Sequence, residues 1–187
     1  MNEHPGERPA GSRQETEPPR PGARLTLDVH DLTAEGAGVA RHGRFVVFVP
    51  GAVPGDRVVA RIERVHRGFA EGELFRIESP SGARREPPCP HQPACGGCPL
   101  MVLEPSGALD FKARHLEQTL RRIGKIEHAV DRVVASPADL GYRGRVRFAV
   151  SPRHAGVPAA FGYRPRGRGA DLVPIETCLL APARAGP

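Results

Sequence analysis

Apolar and polar residues alternate in short runs from Arg24 onward. In Arg24–His30, Leu25, Leu27 and Val29 take every second position, the period of a half-buried strand. Arg44–Pro50 is dense in β-branched and aromatic residues, and Arg57–Val65 and Glu71–Ser79 read as further strands. Turn signals divide them: Glu35-Gly36-Ala37-Gly38 as a turn or bulge, then Pro54-Gly55-Asp56, then Arg67-Gly68. Four or five short strands at this spacing predict a small antiparallel β-barrel, ended by Pro80 and the Pro87-Pro88 pair.

The period then changes. Ser106 is the expected cap of a helix running to about Ile123, with Leu109, Ala113, Leu116, Leu120 and Ile123 on one face and Gly124 as a stop. Beyond it, Val130–Val134, Tyr142–Val150, Ala159–Arg164 and Asp171–Pro174 are expected to be strands of a second small sheet. The fold class is therefore mainly β with some α, a barrel followed by a small α+β unit. Residues 1–23 hold five Pro, three Gly and seven charges against three apolar residues, too little to offset ordering entropy, so they are expected to be a disordered tail. The expected organisation is tail 1–23, barrel 24–82, cysteine loop and α+β unit 83–180, and a second tail 181–187.

Composition narrows the classes. A chain of 187 residues holds one ordinary domain or two small ones. Its uncharged apolar runs fall far short of the ~20 residues that a membrane helix needs, so no membrane partner is expected. The N-terminal stretch has no apolar core of a secretory signal, which points to a reducing, cytoplasmic setting. There, four cysteines read as a metal or redox site rather than a disulfide frame. The net charge of +6, from 27 basic and 21 acidic residues, fits a polyanionic partner.

The cysteines are the most informative residues. Cys89-Pro-His-Gln-Pro-Ala-Cys95-Gly-Gly-Cys98 is followed at a distance by Cys178, a C-x5-C-x2-C-x79-C spacing. Thiolates suit iron–sulfur clusters or zinc. A [4Fe–4S] cube takes one thiolate per iron; a short loop presents three, and the fourth comes from elsewhere in the fold. Gly96 and Gly97 allow close backbone approach, with amide N–H groups directed at sulfur. Structural zinc prefers paired C-x2–4-C knuckles, which Cys89/Cys95 does not supply, although His91 could serve as a ligand. A redox C-x-x-C at Cys95/Cys98, or four merely buried cysteines, are the plainer readings.

Charge is concentrated late in the chain. Residues 141–169 hold seven Arg, no acidic residue, both Tyr of the protein, and Phe148 and Phe161. In strand geometry Arg143, Arg145 and Arg147 share one face, and Gly144, Val146, Phe148 and Val150 the other. Guanidinium groups pair with phosphates and aromatic rings stack on bases, so the window reads as an RNA-binding surface. A solvated strand face in an Arg-rich protein is the plainer reading. The candidate contacts are Arg143, Arg145, Arg147, Tyr163, Arg164 and Arg166.

Three stretches in order, GAGVARHGRFVVFVPGAVPGDRV, the CGGC loop with a cysteine six residues before it, and GYRGRVRF…FGYRPRG…VPIETC, resemble one family. The chain resembles the N-terminal part of the bacterial RNA uracil-5-methyltransferases over roughly residues 24–180. The resemblance implies a TRAM domain, an OB-like barrel that binds RNA, and a [4Fe–4S] cluster on Cys89, Cys95, Cys98 and Cys178. It implies ribosomal RNA as the preferred partner, with transfer RNA open, and S-adenosylmethionine as methyl donor in the full-length enzyme. Gly144 departs from the family, which commonly has Asn there.

The family's chemistry also needs a thiolate that adds to uracil C6 and a base that removes the C5 proton. Assigning all four cysteines to the cluster leaves no nucleophile, and Gly167 and Gly169 lack the strand–GxGxxG–helix context of a nucleotide-binding turn. The expectation is that these residues bind RNA and a cluster without catalytic or S-adenosylmethionine-binding residues, with a separate chain as one source of the catalytic domain. The rival reading is a stand-alone RNA-binding protein with structural zinc.

Overall fold

The computed structural model of the protein describes residues 17–92, 94–151, 161–166 and 171–182. Five strands, β1 (Arg24–Leu32), β2 (Ala37–His42), β3 (Phe45–Pro50), β4 (Arg57–Val65) and β5 (Phe69–Ser79), close into a barrel in the order β1-β2-β3-β5-β4. Pairing of β1 with β4 completes the ring. Because β4 is antiparallel to β1 and β5 turns back from β4, β5 reaches β3 running in the same direction, with Val46 opposite Phe69. The barrel therefore holds one parallel pair that the expected antiparallel arrangement did not include.

Alternation explains the core. Phe45, Val47 and Val49 of β3 point inward, joined by Leu27 and Val29 of β1, Val58, Ala60 and Ile62 around β4, and Ala40 and Ala70. Burying each of the larger aliphatic side chains is worth ~1.5–3 kcal/mol. The stretch at 35–38 differs from its expected turn, because Ala37 already belongs to β2. Gly38 is buried inside the strand, where a Cβ would stand 2.8 Å from the Ala52 carbonyl oxygen. Its glycine marks a close backbone approach, not a reversal.

Residues 17–23 are tied to this barrel, with Pro19 buried and the Gly22 N–H donating to the Ile62 carbonyl at 2.7 Å. The rest of the expected N-terminal tail, and residues 183–187 of the other, lie outside the described residues.

After the barrel, a 3₁₀ turn (Pro99–Val102) leads into α1 (Pro105–Thr119). The cap is Glu104 rather than Ser106, with Pro105 at the first helical position, where its missing N–H costs nothing. The buried face also differs from the expected stripe. Phe111, with Ala108 beside it, packs on Leu32, Val53, Val102 and Leu103, so barrel and helix share a second core. Leu116 and Ile123 are 50% and 80% exposed, because the barrel surface reaches only the first half of the helix. The helix ends in a π turn (Leu120–Gly124), and Lys125, not Gly124, takes the left-handed conformation (φ 54°). No helix among the described residues is long and apolar enough to cross a membrane.

The second sheet is shorter than expected. It comprises β6 (Ala149–Val150), β7 (Phe161–Tyr163) and β8 (Val173–Pro174), antiparallel in that order. Val130–Val134 forms no strand: it lies outside any ladder, with Val133 and Val134 exposed. Tyr142–Phe148 is likewise unpaired as a strand, although its alternation survives in part: Arg143, Arg145 and Arg147 are exposed while Val146 and Phe148 are half-buried.

One buried ion pair joins the two parts. Asp56 lies in the turn before β4 with its side chain wholly buried. Its carboxylate accepts from the Val53 N–H (2.8 Å), the Ser81 N–H (2.9 Å), and Arg84 Nε (3.1 Å) and Nη2 (2.6 Å). Arg84 Nη2 also donates to the Gly51 carbonyl at 2.8 Å. Burial pushes the Asp56 carboxyl up. The Arg84 hydrogen bond, the two backbone N–H groups and the Arg84 charge outweigh it and hold the group below its ordinary 3.8.

Asp56→Ala leaves Arg84 and two N–H groups without their acceptor, so urea unfolding near neutral pH is expected to show a loss of about 3–5 kcal/mol. A carboxyl depressed in the folded state contributes fully above its ordinary value of 3.8 and loses that contribution as pH falls through the lower folded value. The wild type should therefore lose more stability below that pH than the Ala variant; parallel pH profiles would contradict the assignment.

Candidate functional site

Two hydrogen-bonded seams draw distant segments together. At the first, the cysteine loop pairs with the stretch after β7. The Gly96 N–H donates to the Arg164 carbonyl (3.0 Å) and the Arg166 N–H to the Ala94 carbonyl (2.8 Å), bracketing a Cys95–Pro165 bridge. At the second, the Gly141 and Arg143 N–H groups donate to the carbonyls of Leu179 and Leu180, both at 2.8 Å. Between the seams, β7 pairs with β8, placing Tyr163 opposite Val173. The chain thus passes from Cys95 across β7 and β8 to Cys178.

The result is one cavity of about 110 Å³ lined by Cys89, Cys95, Cys98 and Cys178, together with His91, Arg143 and Tyr163. That is several times the ~10–15 Å³ a single water needs on the same measure. All four thiols are free of disulfides; Cys95 is buried and the other three half-buried. The loop is held locally by the His91 carbonyl, which accepts from the Cys95 N–H at 2.7 Å, and by the Cys98 carbonyl, which accepts from Met101 N–H at 3.1 Å. Among the described residues, no three His, Cys, Asp or Glu side chains form a ready-made site for one metal ion.

The thiols feel one another. Burial pushes Cys98 up to about 11, and the charges of Cys95, Cys178 and Cys89 add to it, with Arg143 opposing. Burial raises Cys95 as well, against a hydrogen bond from the Gly97 N–H to its Sγ at 3.4 Å. Tyr163 is pushed up to about 12, first by burial and then by its contact with Cys178, whose Sγ lies 3.9 Å from the phenol oxygen. Four thiolates at this spacing need compensating positive charge to ionise together, which a bound metal supplies.

The six candidate RNA contacts separate into three settings. Arg145, Arg147 and Arg164 are exposed, and Arg147 and Arg164 border one surface hollow with Tyr163 and Gly97. Arg143 is exposed but turned toward the thiol cavity, which it lines. Tyr163 and Arg166 are drawn inward. Tyr163 packs on Phe148 (centroids 5.1 Å) and meets Cys178, so its ring is not a free stacking platform. Arg166 is half-buried, and its Nη2 donates to the Gln92 carbonyl at 3.4 Å. Tyr142 remains exposed, beside Arg143 and Lys112 on a larger cleft of about 460 Å³ between α1 and residues 135–143.

The Gly97 N–H on Cys95 Sγ matches the amide-to-sulfur contact expected at Gly96-Gly97, whereas Gln92 and the Tyr163–Cys178 contact carry no signal in the sequence. The FGYRPRG stretch, basic and aromatic, was the available signal for the seam.

The barrel is recognisable: residues 19–75 match the TRAM domain family. Over 160 residues, 84% of this chain, it is 40% identical to the 23S rRNA (uracil(1939)-C(5))-methyltransferase of Acidithiobacillus ferrooxidans, covering 36% of that protein. An RNA methyltransferase of Caldanaerobacter subterraneus is 33% identical over 160 residues, 85% of this chain and 34% of that one. The chain spans about a third of the length of these relatives. The crystal structure of Pyrococcus abyssi tRNA (uracil-54, C5)-methyltransferase shares the fold (TM-score 0.54, 24% identity, 84% of this chain and 33% of that one). The protein thus carries a TRAM domain at residues 19–75, and over most of its length it is similar to the N-terminal part of RNA uracil-5-methyltransferases.

A Cβ at Gly96 would stand 2.9 Å from the Pro165 carbonyl oxygen and 3.1 Å from that of Arg164, whereas one at Gly107 in α1 meets only ordinary contacts from 3.5 Å. Gly96→Ala is therefore expected to lower the urea midpoint by an amount worth about 1–3 kcal/mol. Gly107→Ala is expected to be neutral or stabilising by up to ~1 kcal/mol. Equal effects would contradict the tight first seam.

Proposed function

We propose that this chain is the RNA-gripping, iron–sulfur-bearing portion of an RNA uracil-5-methyltransferase. The reading is carried by one observation above others: four thiols from a loop and a distant segment line a single cavity beside an Arg-rich surface. Identity of 40% to a 23S rRNA methyltransferase favours ribosomal RNA as the substrate. A reducing, cytoplasmic setting suits the free thiols.

The donor set fits a [4Fe–4S] cluster better than zinc. It offers four thiols on one cavity, with a backbone N–H on Cys95 Sγ. Cys89, Cys95, Cys98 and Cys178 would hold the cluster, which when bound cross-links the loop to the segment after β8. His91, on the same cavity, keeps a zinc alternative chemically specific.

The chain's own residues would bind and orient. The exposed Arg145, Arg147 and Arg164 meet phosphates, and Tyr142 offers a ring for stacking. With all four cysteines engaged, the nucleophilic thiolate and the S-adenosylmethionine site belong to the part that makes up the remaining length of the relatives. Methyl transfer to uridine C5 is the proposed activity of that whole assembly.

Cys89→Ser and Cys178→Ser, purified without oxygen, are expected to lose most of their iron and to unfold earlier; full iron content in both would refute the ligand set. Replacing Arg145, Arg147 and Arg164 with Ala should weaken RNA binding and flatten its salt dependence. The log–log slope should fall by ~0.7 for each single-strand phosphate that is no longer neutralised. An unchanged slope would count against this surface.

A further inference from the structure

Arg166 sits where the cysteine loop meets the barrel. Its backbone N–H closes the first seam on Ala94, and its Nη2 donates to the Gln92 carbonyl inside the same loop. On the other side it borders the barrel: a Cβ at Gly51 would stand 3.1 Å from Arg166 Nη1. It lines a cavity of about 230 Å³ at that junction with Gly36, Pro50, Gly96 and Pro99. The guanidinium is half-buried and has no ion-pair partner among the described residues, and its Nε lacks an acceptor there. Burial pushes its pKa down and the Arg84 charge adds to that, while the charges of Cys95 and Cys98 oppose the shift. Glu35, at the exposed rim of the junction, is the acidic residue of that cavity. Burying a cation without a carboxylate is costly unless negative charge lies near it. Besides Glu35 at the rim, the acidic groups near this one are the thiols of Cys95 and Cys98.

We propose that Arg166 is a positioning residue for the cysteine site, not an RNA contact: it latches the Cys89–Cys98 loop to the barrel and compensates the negative charge of the group that the four thiols hold. This rests on the iron–sulfur reading above. Two consequences follow from the geometry. Arg166 packs beside the barrel turn at Gly51, whose carbonyl accepts from Arg84, so the cysteine loop and the Asp56–Arg84 pair meet at the same turn. The charge sets the electron affinity of the bound group, because net charge and hydrogen bonding near the sulfurs tune cluster potentials. Nearby positive charge favours the reduced, more negative state.

The test uses the full chain, purified anaerobically, as wild type, Arg166→Lys and Arg166→Met. Iron and acid-labile sulfide are measured first, then the midpoint potential by mediated electrochemical titration. The expected result is a lower midpoint potential in Arg166→Met, with Arg166→Lys close to wild type because it keeps the charge. Loss of sulfide in Arg166→Met with retention in Arg166→Lys also supports the role. A cluster-bearing Arg166→Met with the wild-type potential overturns it. Wild-type protein without sulfide instead removes the iron–sulfur reading itself, and the inference with it, so the two failures are told apart by the first measurement.

Discussion

The structure depends on one saturated carboxylate. Asp56 collects two backbone N–H groups and the Nε–Nη2 edge of the Arg84 guanidinium, with its side chain fully buried. Its ligands come from the turn after β3 and from the chain just after β5. Together with the Arg85–Val102 and Glu104–Ala83 backbone bonds it holds the exit of the barrel against the second core at Leu32, Val53, Leu103 and Phe111. A buried ion pair is a poor source of net stability. Its contribution here is geometric, since it sets where the chain leaves the barrel and so where the cysteine loop begins.

From that anchor the thiol cavity is assembled by short contacts instead of long elements. β6 to β8 are two or three residues each, yet β7 lies between the loop carrying Cys95 and the strand leading to Cys178. Such small ladders bury little apolar surface, so the arrangement has limited stability of its own. A group bound by all four thiols would add the missing cross-link, closing a loop of 79 intervening residues.

The barrel was largely legible in the sequence because alternation in Leu25–Val29 and Phe45–Val49 is a local signal that tertiary contacts reinforce. β2 was not, since Gly36 and Gly38 carry the same letters in a turn and in a strand pressed against Ala52. The helix was legible in its existence and not in its face. Its periodicity fits several stripes, and which one is buried depends on where the barrel surface ends. Val130–Val134 has the composition of a strand but no partner strand among the described residues. The cysteine set could be read from spacing and resemblance, and all four fall on one cavity. The roles of Tyr163 and Arg166 could not, because a basic aromatic stretch looks the same whether its side chains face RNA or fold back onto a thiol loop.

The central claim is that the cavity is built for an iron–sulfur group that ties the loop to the segment after β8. The most direct measurement is the iron, zinc and acid-labile sulfide content of the wild-type chain purified without oxygen, with its visible absorption spectrum. The account predicts about four irons and four sulfides per chain and a broad brown absorption. One zinc and no sulfide would contradict it.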